Sequence, residues 1–179
     1  DAACFLDPLL STGVHLALYS ALNAAACIAS VSRGEVTEDI ARDFYEYSYR
    51  RAYTRLFALV NVMYERYLGR DGFFRVSDRL VGASSGADAP DAAPPSSRSF
   101  VEIITGLSDL REAADASTRV LTRELINEAV RAQHTTMSQP GGAGMPDFSS
   151  VLENPLRDAE SAAYRLVTSP RLGLARTAA

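Results

Sequence analysis

At 179 residues and 47% apolar content the chain can bury one sizeable core, and its length favours a single domain over two. A net charge of -4 and a pI near 5.2 leave no basic stripe of the kind nucleic acid requires, which excludes that class of partner. All 18 basic residues are arginine, so no lysine amine is present for Schiff-base or amine catalysis.

In chain order, the apolar run Ala2-Ala3-Cys4-Phe5-Leu6 reads as the exit of a strand, stopped by Asp7-Pro8. Ser11-Thr12-Gly13 then opens a helix to about Val31, closed by Arg33-Gly34, where Gly takes the left-handed cap and Arg complements the carbonyl end. Residues 8 to 32 hold no Asp, Glu, Lys or Arg, a stretch long enough to span a bilayer. Its Ser, Thr, Gly, His and Asn content and its richness in Ala favour instead a core helix, apolar all round and buried on most sides, with no stable membrane insertion. No basic n-region or small-residue cleavage site marks a signal peptide. Cys4 and Cys27 lie in apolar runs without CxxC or Cys/His spacing, so they read as buried reduced thiols, with no disulfide and no metal site.

Thr37 is a good N-cap for a second, long helix, with Glu38 and Asp39 in its first turn and Ile40, Phe44, Tyr47, Leu56, Val60, Met63 and Tyr67 at helical spacing up to about Gly69. Its tyrosines, Tyr45, Tyr47, Tyr49, Tyr53, Tyr64 and Tyr67, interleave with Arg50, Arg51, Arg55 and Arg66. The plain expectation is aromatics that pack and arginines that stack or face water; the sharper one is a wall for an aromatic substrate or a docking face for an acidic carrier protein. Residues 82 to 99 are built almost wholly of Ala, Ser, Gly, Asp and Pro and read as a flexible linker. A short helix is expected over 100 to 107, a longer one over 113 to 133 and a last one over 154 to 167, with a Pro/Gly break at 139 to 146. No run alternates strictly, so the chain should be mainly α, and its parts divide as 1–35, 36–81 (the long helix and a following turn), 82–99 and 100–179 (a helical region).

The chemistry concentrates between Asp1 and Ala17: an acidic residue at a strand end, a rigid Pro turn, and a small-residue loop feeding a helix. Backbone N–H groups and the helix dipole at such a start favour negative charge, and Gly13 leaves room for close approach of a flat anionic group or a small anion such as chloride. The segment resembles the second flavin motif of the flavin monooxygenase superfamily, the Gly-Asp-Ala-Ala, then Pro, then Gly pattern, entered here at Asp1. Its wording Asp-Pro-Leu-Leu-Ser-Thr-Gly-Val-His-Leu-Ala resembles flavin-dependent halogenases, in particular those acting on phenolic, pyrrolic or carrier-tethered substrates. The run from Phe44 through Tyr49-Arg50-Arg51-Ala52-Tyr53 is similar to the halogenase helix that follows.

The resemblance implies the helical C-terminal portion of an α/β FAD-binding enzyme that uses reduced FAD, O2 and chloride or bromide to halogenate an electron-rich aromatic, with hypohalous acid as the agent. It places Asp1 on the flavin ribityl chain, Pro8 along the isoalloxazine edge, Ser11, Thr12 and Gly13 beside the flavin, and the halide on the amides of Thr12 and Gly13. The implied partners are a small aromatic substrate, free or carrier-tethered, and a flavin reductase; cytoplasmic placement is expected. Asp7 reads as a turn-former and His15 as a satisfied core histidine. The Gly-x-Gly-x-x-Gly fingerprint and the halogenase lysine have no counterpart here, so no catalytic residue is assigned in this segment, the lysine is expected upstream, and the piece alone is expected to be inactive. Rival expectations are an aromatic hydroxylase or geranylgeranyl-reductase-like oxidoreductase, and a non-catalytic helical interaction module.

Overall fold

The computed structural model describes residues 6, 10–65, 69–81, 97–118 and 163–177, and most of them are helical. Helix α1, Gly13–Ser32, is followed by α2, Glu38–Glu65, α3, Gly69–Leu80, α4, Ser97–Ile104, and α5, Leu107–Ala114. A 3-10 turn, Ala116–Thr118, and two strands, β1, Tyr164–Val167, and β2, Gly173–Arg176, complete the described elements.

Helix α1 stops where the sequence says it must. Gly34 adopts φ 71, its N–H donates to Val31 O at 2.9 Å, and the N–H of Glu35 donates to Ser30 O at 3.0 Å. That pair of bonds is the Schellman closure, which needs a residue without Cβ at the left-handed position. Thr37 then caps α2 as expected, its Oγ1 accepting from the N–H of Ile40 at 3.3 Å. The short connection folds α1 and α2 side by side. Leu16, Tyr19, Ala26 and Cys27 of α1 meet Ala41, Phe44, Leu56 and Leu59 of α2 in one core.

Several expectations are corrected. Helix α1 is not buried on most sides: its inner face is Leu16, Tyr19, Asn23, Ala26, Cys27 and Ser30, while Val14, Leu18 and Ile28 remain 70%, 68% and 66% exposed. The long helix is described as far as Glu65, residues 66–68 lie outside the described residues, and a further helix, α3, stands where a turn was expected. Helix α4 begins at Ser97, inside the expected linker, and a helix that was not expected, α5, covers 107–114; of the helix expected over 113–133 only the start is described, and it breaks at Asp115. Residues 82–96 and 119–162 lie outside the described residues, as do the first part of the expected last helix and the Pro/Gly break.

The end of that last helix is a strand. Tyr164, Arg165, Leu166 and Val167 pair antiparallel with Arg176, Ala175, Leu174 and Gly173, and the turn between them contains a cis Ser169–Pro170 bond. Leu166 and Leu174 face each other on the buried side, at 3% and 7% exposure. Four residues are too few for period 2 to be told from period 3.6, and β-branched or aromatic ends with a following Pro were the available strand signal. The hairpin packs on α1 and α5.

Candidate functional site

The first turn of α1 is built unusually. Ser11 holds a left-handed φ of 54, a conformation that costs an L residue with a Cβ about 1–2 kcal/mol. Thr12 follows at φ -82, ψ -7, in the right-handed region. A left-handed residue followed by a right-handed one turns consecutive N–H groups to one side, the geometry of an anion nest. The first intrahelical bond runs from Leu16 N to Thr12 O at 3.0 Å, so the amides ahead of it have no intrahelical acceptor.

Local capping does not satisfy them. Thr12 makes no side-chain cap bond and the first turn carries no acidic residue. Thr12 is 0% exposed, and its Oγ1 has no hydrogen-bond partner among the described residues. A buried hydroxyl left so costs about 1–3 kcal/mol. Among the described residues the arrangement therefore presents a buried O–H donor beside amides with no intrahelical acceptor, at the positive end of a 20-residue helix. Chemically it suits a small anion.

One turn on, His15 enters a buried ionic cluster. Its Nε2 lies 2.8 Å from Asp109 Oδ2. Asp109 also accepts from Arg55 Nη1, and Arg55 Nη2 donates to Glu112. Arg55 is 0% exposed, and its Nε donates to the Leu80 carbonyl at 3.0 Å, tying in the end of α3. Arg51 donates to Glu112 at 3.1 Å and lies 5.4 Å from the centre of the Tyr47 ring. Burial opposes the charge on Glu112, but Arg55 and Arg51 outweigh it and hold the carboxyl below the ordinary range. Burial, then Asp109, push the Tyr19 phenol above its ordinary value, so it stays neutral. A void of about 10 Å³ among Tyr19, Tyr47, Ser48, Arg51, Asp109 and Glu112 is at the lower limit for one water.

Of the residues singled out from sequence, Ser11, Thr12 and Gly13 come together at the head of α1, while Asp1, Cys4, Asp7 and Pro8 lie outside the described residues. His15 is a satisfied histidine, as expected, though its partner is a carboxylate ninety-four residues on. Arg51 stacks, but Arg55 neither stacks nor faces water. Tyr45, Tyr47, Tyr49 and Tyr53 pack: Tyr47 and Tyr53 are 6% and 3% exposed, Tyr45 stacks on Tyr49 and Tyr53 on Phe57, while Tyr67 lies outside the described residues. Sequence reasoning missed Asp109 and Glu112, whose only signal was two carboxylates one helical turn apart. Cys27 is a free, buried thiol, pushed up to about 11 by burial. A cleft of about 410 Å³ between α1 and α2, lined by Cys27, Ile28, Val31, Arg42 and Tyr45, sits at the far end of α1 from Thr12 and shares no residue with the ionic cluster.

Among curated proteins, the chain is 34% identical over 122 residues to tryptophan 2-halogenase of Chondromyces crocatus, covering 65% of this chain and 22% of that protein. It is 32% identical over 154 residues to flavin-dependent halogenase armH3 of Armillaria mellea, covering 84% of this chain and 28% of that protein. It is 45% identical over 60 residues to sulochrin halogenase gedL of Aspergillus terreus, covering 34% of this chain and 11% of that protein. The chain thus spans between 11% and 28% of the length of these relatives. No family model matches, and no solved structure matches. Its homologues are flavin-dependent halogenases, which makes flavin the cofactor of its relatives.

Proposed function

We propose that this chain is the C-terminal portion of a flavin-dependent halogenase, and that the turn at Ser11, Thr12 and Gly13 is where it meets halide and flavin. The observation that carries the reading is the head of α1, where a left-handed Ser11 and an uncapped Thr12, its buried hydroxyl without a partner among the described residues, form a donor nest. The homologues, which are halogenases by name, raise this from a generic anion site to a specific one.

Bound reduced FAD would supply, with O2, the oxidising equivalents that turn chloride or bromide into an electrophile. The chain's own part is to hold and place the halide. The amides of Thr12 and Gly13 point to it, the Thr12 hydroxyl donates to it, and the helix dipole adds about half a positive charge. Gly13 keeps side-chain bulk away from the ring, and the burial of Thr12 keeps water from competing for the anion. Asp1 and Pro8 take the ribityl chain and the ring edge, and the catalytic lysine comes from the rest of the enzyme. The substrate class is an electron-rich aromatic, phenolic or pyrrolic, free or carrier-tethered, with a flavin reductase supplying reduced FAD.

The test is turnover by the full-length protein with FAD, a flavin reductase and NADH, on phenolic and pyrrolic substrates, with and without chloride or bromide, read by mass spectrometry. A halogen isotope pattern that appears only with halide establishes the reading. Halide-independent addition of oxygen moves the protein to the hydroxylases. Thr12→Val, which keeps the shape and removes the hydroxyl, should weaken halide binding about tenfold while leaving stability unchanged or slightly raised.

A further inference from the structure

We infer that His15 is a positioning residue for the halide-binding turn, locked by Asp109 and Arg55 so that the first turn of α1 stays open to a ligand; the inference rests on the halide reading above. The turn lacks the local devices that fix a helix start. Thr12 makes no cap bond, no acidic side chain stands in the first turn, and Ser11 holds a φ of 54 that residues with a Cβ rarely adopt. A turn so weakly held by its own residues is held from elsewhere, and His15 is the first-turn side chain with a polar tertiary bond.

That bond is well anchored. His15 Nε2 meets Asp109 Oδ2 at 2.8 Å, with side-chain exposures of 13% and 1%. Asp109 is gripped in turn by the fully buried Arg55, which also binds Glu112 and the Leu80 carbonyl, so the anchor reaches into α2, α3 and α5. Backbone also closes on the ring. Gly106, at φ 76 between α4 and α5, lies so close that a Cβ there would fall inside the imidazole.

The chemistry follows from what this replaces. A cap side chain would occupy the amides that an anion needs. Support from His15 fixes the same turn and leaves those amides free. Arg55 balances Asp109, so the carboxylate that holds the histidine does not stand as a bare charge against a bound halide.

The experiment is a bromide titration of the FAD-loaded full-length protein, followed by flavin fluorescence, in wild type, His15→Leu, His15→Asn and His15→Gln. His15→Leu should weaken apparent bromide affinity about tenfold, a larger loss than in FAD affinity, in a protein shown to be folded by circular dichroism. His15→Gln, whose amide reaches the position of Nε2 and can donate to Asp109, should recover most of it, and the shorter His15→Asn should not. Should His15→Leu fail to fold, the Gln and Asn pair carries the comparison. Bromide affinity equal to wild type in both His15→Leu and His15→Asn, or no recovery by His15→Gln, overturns the positioning role. A wild type with no bromide response overturns the halide reading itself, and this inference with it.

Discussion

Arg55 lies in the middle of a 28-residue helix with no exposure at all, and its charge survives there because Asp109, Glu112 and the Leu80 carbonyl take up its donors. Burial opposes that charge, and the two carboxylates outweigh it, raising the guanidinium further above its ordinary value. Such a cluster adds little net stability over a well-packed apolar one, but removing one member leaves uncompensated charge. Arg55→Met should therefore lose about 3–5 kcal/mol in urea denaturation, and most of the loss should return when Asp109 and Glu112 are also made apolar. That Arg51 and Arg55 would be buried and Arg50 would not was not legible in sequence. Arg50, Arg51 and Arg55 share one helix and differ only in which face meets α5, a contact made across 54 residues.

Between elements, the end of α1 is stapled to the hairpin through Glu35. Its carboxylate accepts from Arg33 Nε at 2.8 Å, Arg171 Nη2 at 2.7 Å and Ser30 Oγ at 3.1 Å. Ser30 Oγ also accepts the Leu174 amide at 2.8 Å. The Arg33 hydrogen bond, foremost, holds the Glu35 carboxyl at about 2, against an ordinary 4.5. A carboxyl depressed in the folded state stabilises above its unfolded value and loses that contribution as pH falls through the folded one. Hydrogen-exchange protection of the Leu174 amide should accordingly weaken as pH drops from about 4.5 to about 2, and Glu35→Gln should flatten that dependence. Gly173→Ala should loosen the same staple at neutral pH, because its Cβ would stand 2.5 Å from Arg33 Nη2 and 2.8 Å from Ser30 Oγ. Gly34→Ala should cost about 1 kcal/mol in thermal unfolding through the left-handed cap alone. The Gly34 cap was readable from its position after an apolar run. The staple was not, since it joins residues about 140 apart whose pairing no local pattern encodes.

At the scale of the whole molecule, α1 is apolar on two faces: Leu16, Tyr19, Ala26 and Cys27, with Asn23 and Ser30 among them, face inward, while Val14, Leu18 and Ile28 face out. By length and composition α1 would also cross a membrane, so composition leaves open what meets that outer face. An apolar stripe of this kind marks a surface that another element covers, which accords with a chain that spans 11% to 28% of its relatives. The chain produced by itself should self-associate, and Leu18→Glu with Ile28→Glu should shift it toward monomer in sedimentation velocity.

From the sequence alone came the mainly helical character, the start of α2 at Thr37, the stop of α1 at Gly34, and the opening of α1 at the Ser11-Thr12-Gly13 turn, because caps and small-residue turns act through neighbours in the chain. Tertiary structure decided the rest. Which face of α1 is inner, which arginines are buried, and that Tyr164–Val167 is a strand depend on partners brought together from remote positions. So does the bond between His15 and Asp109, which joins the first turn of α1 to α5.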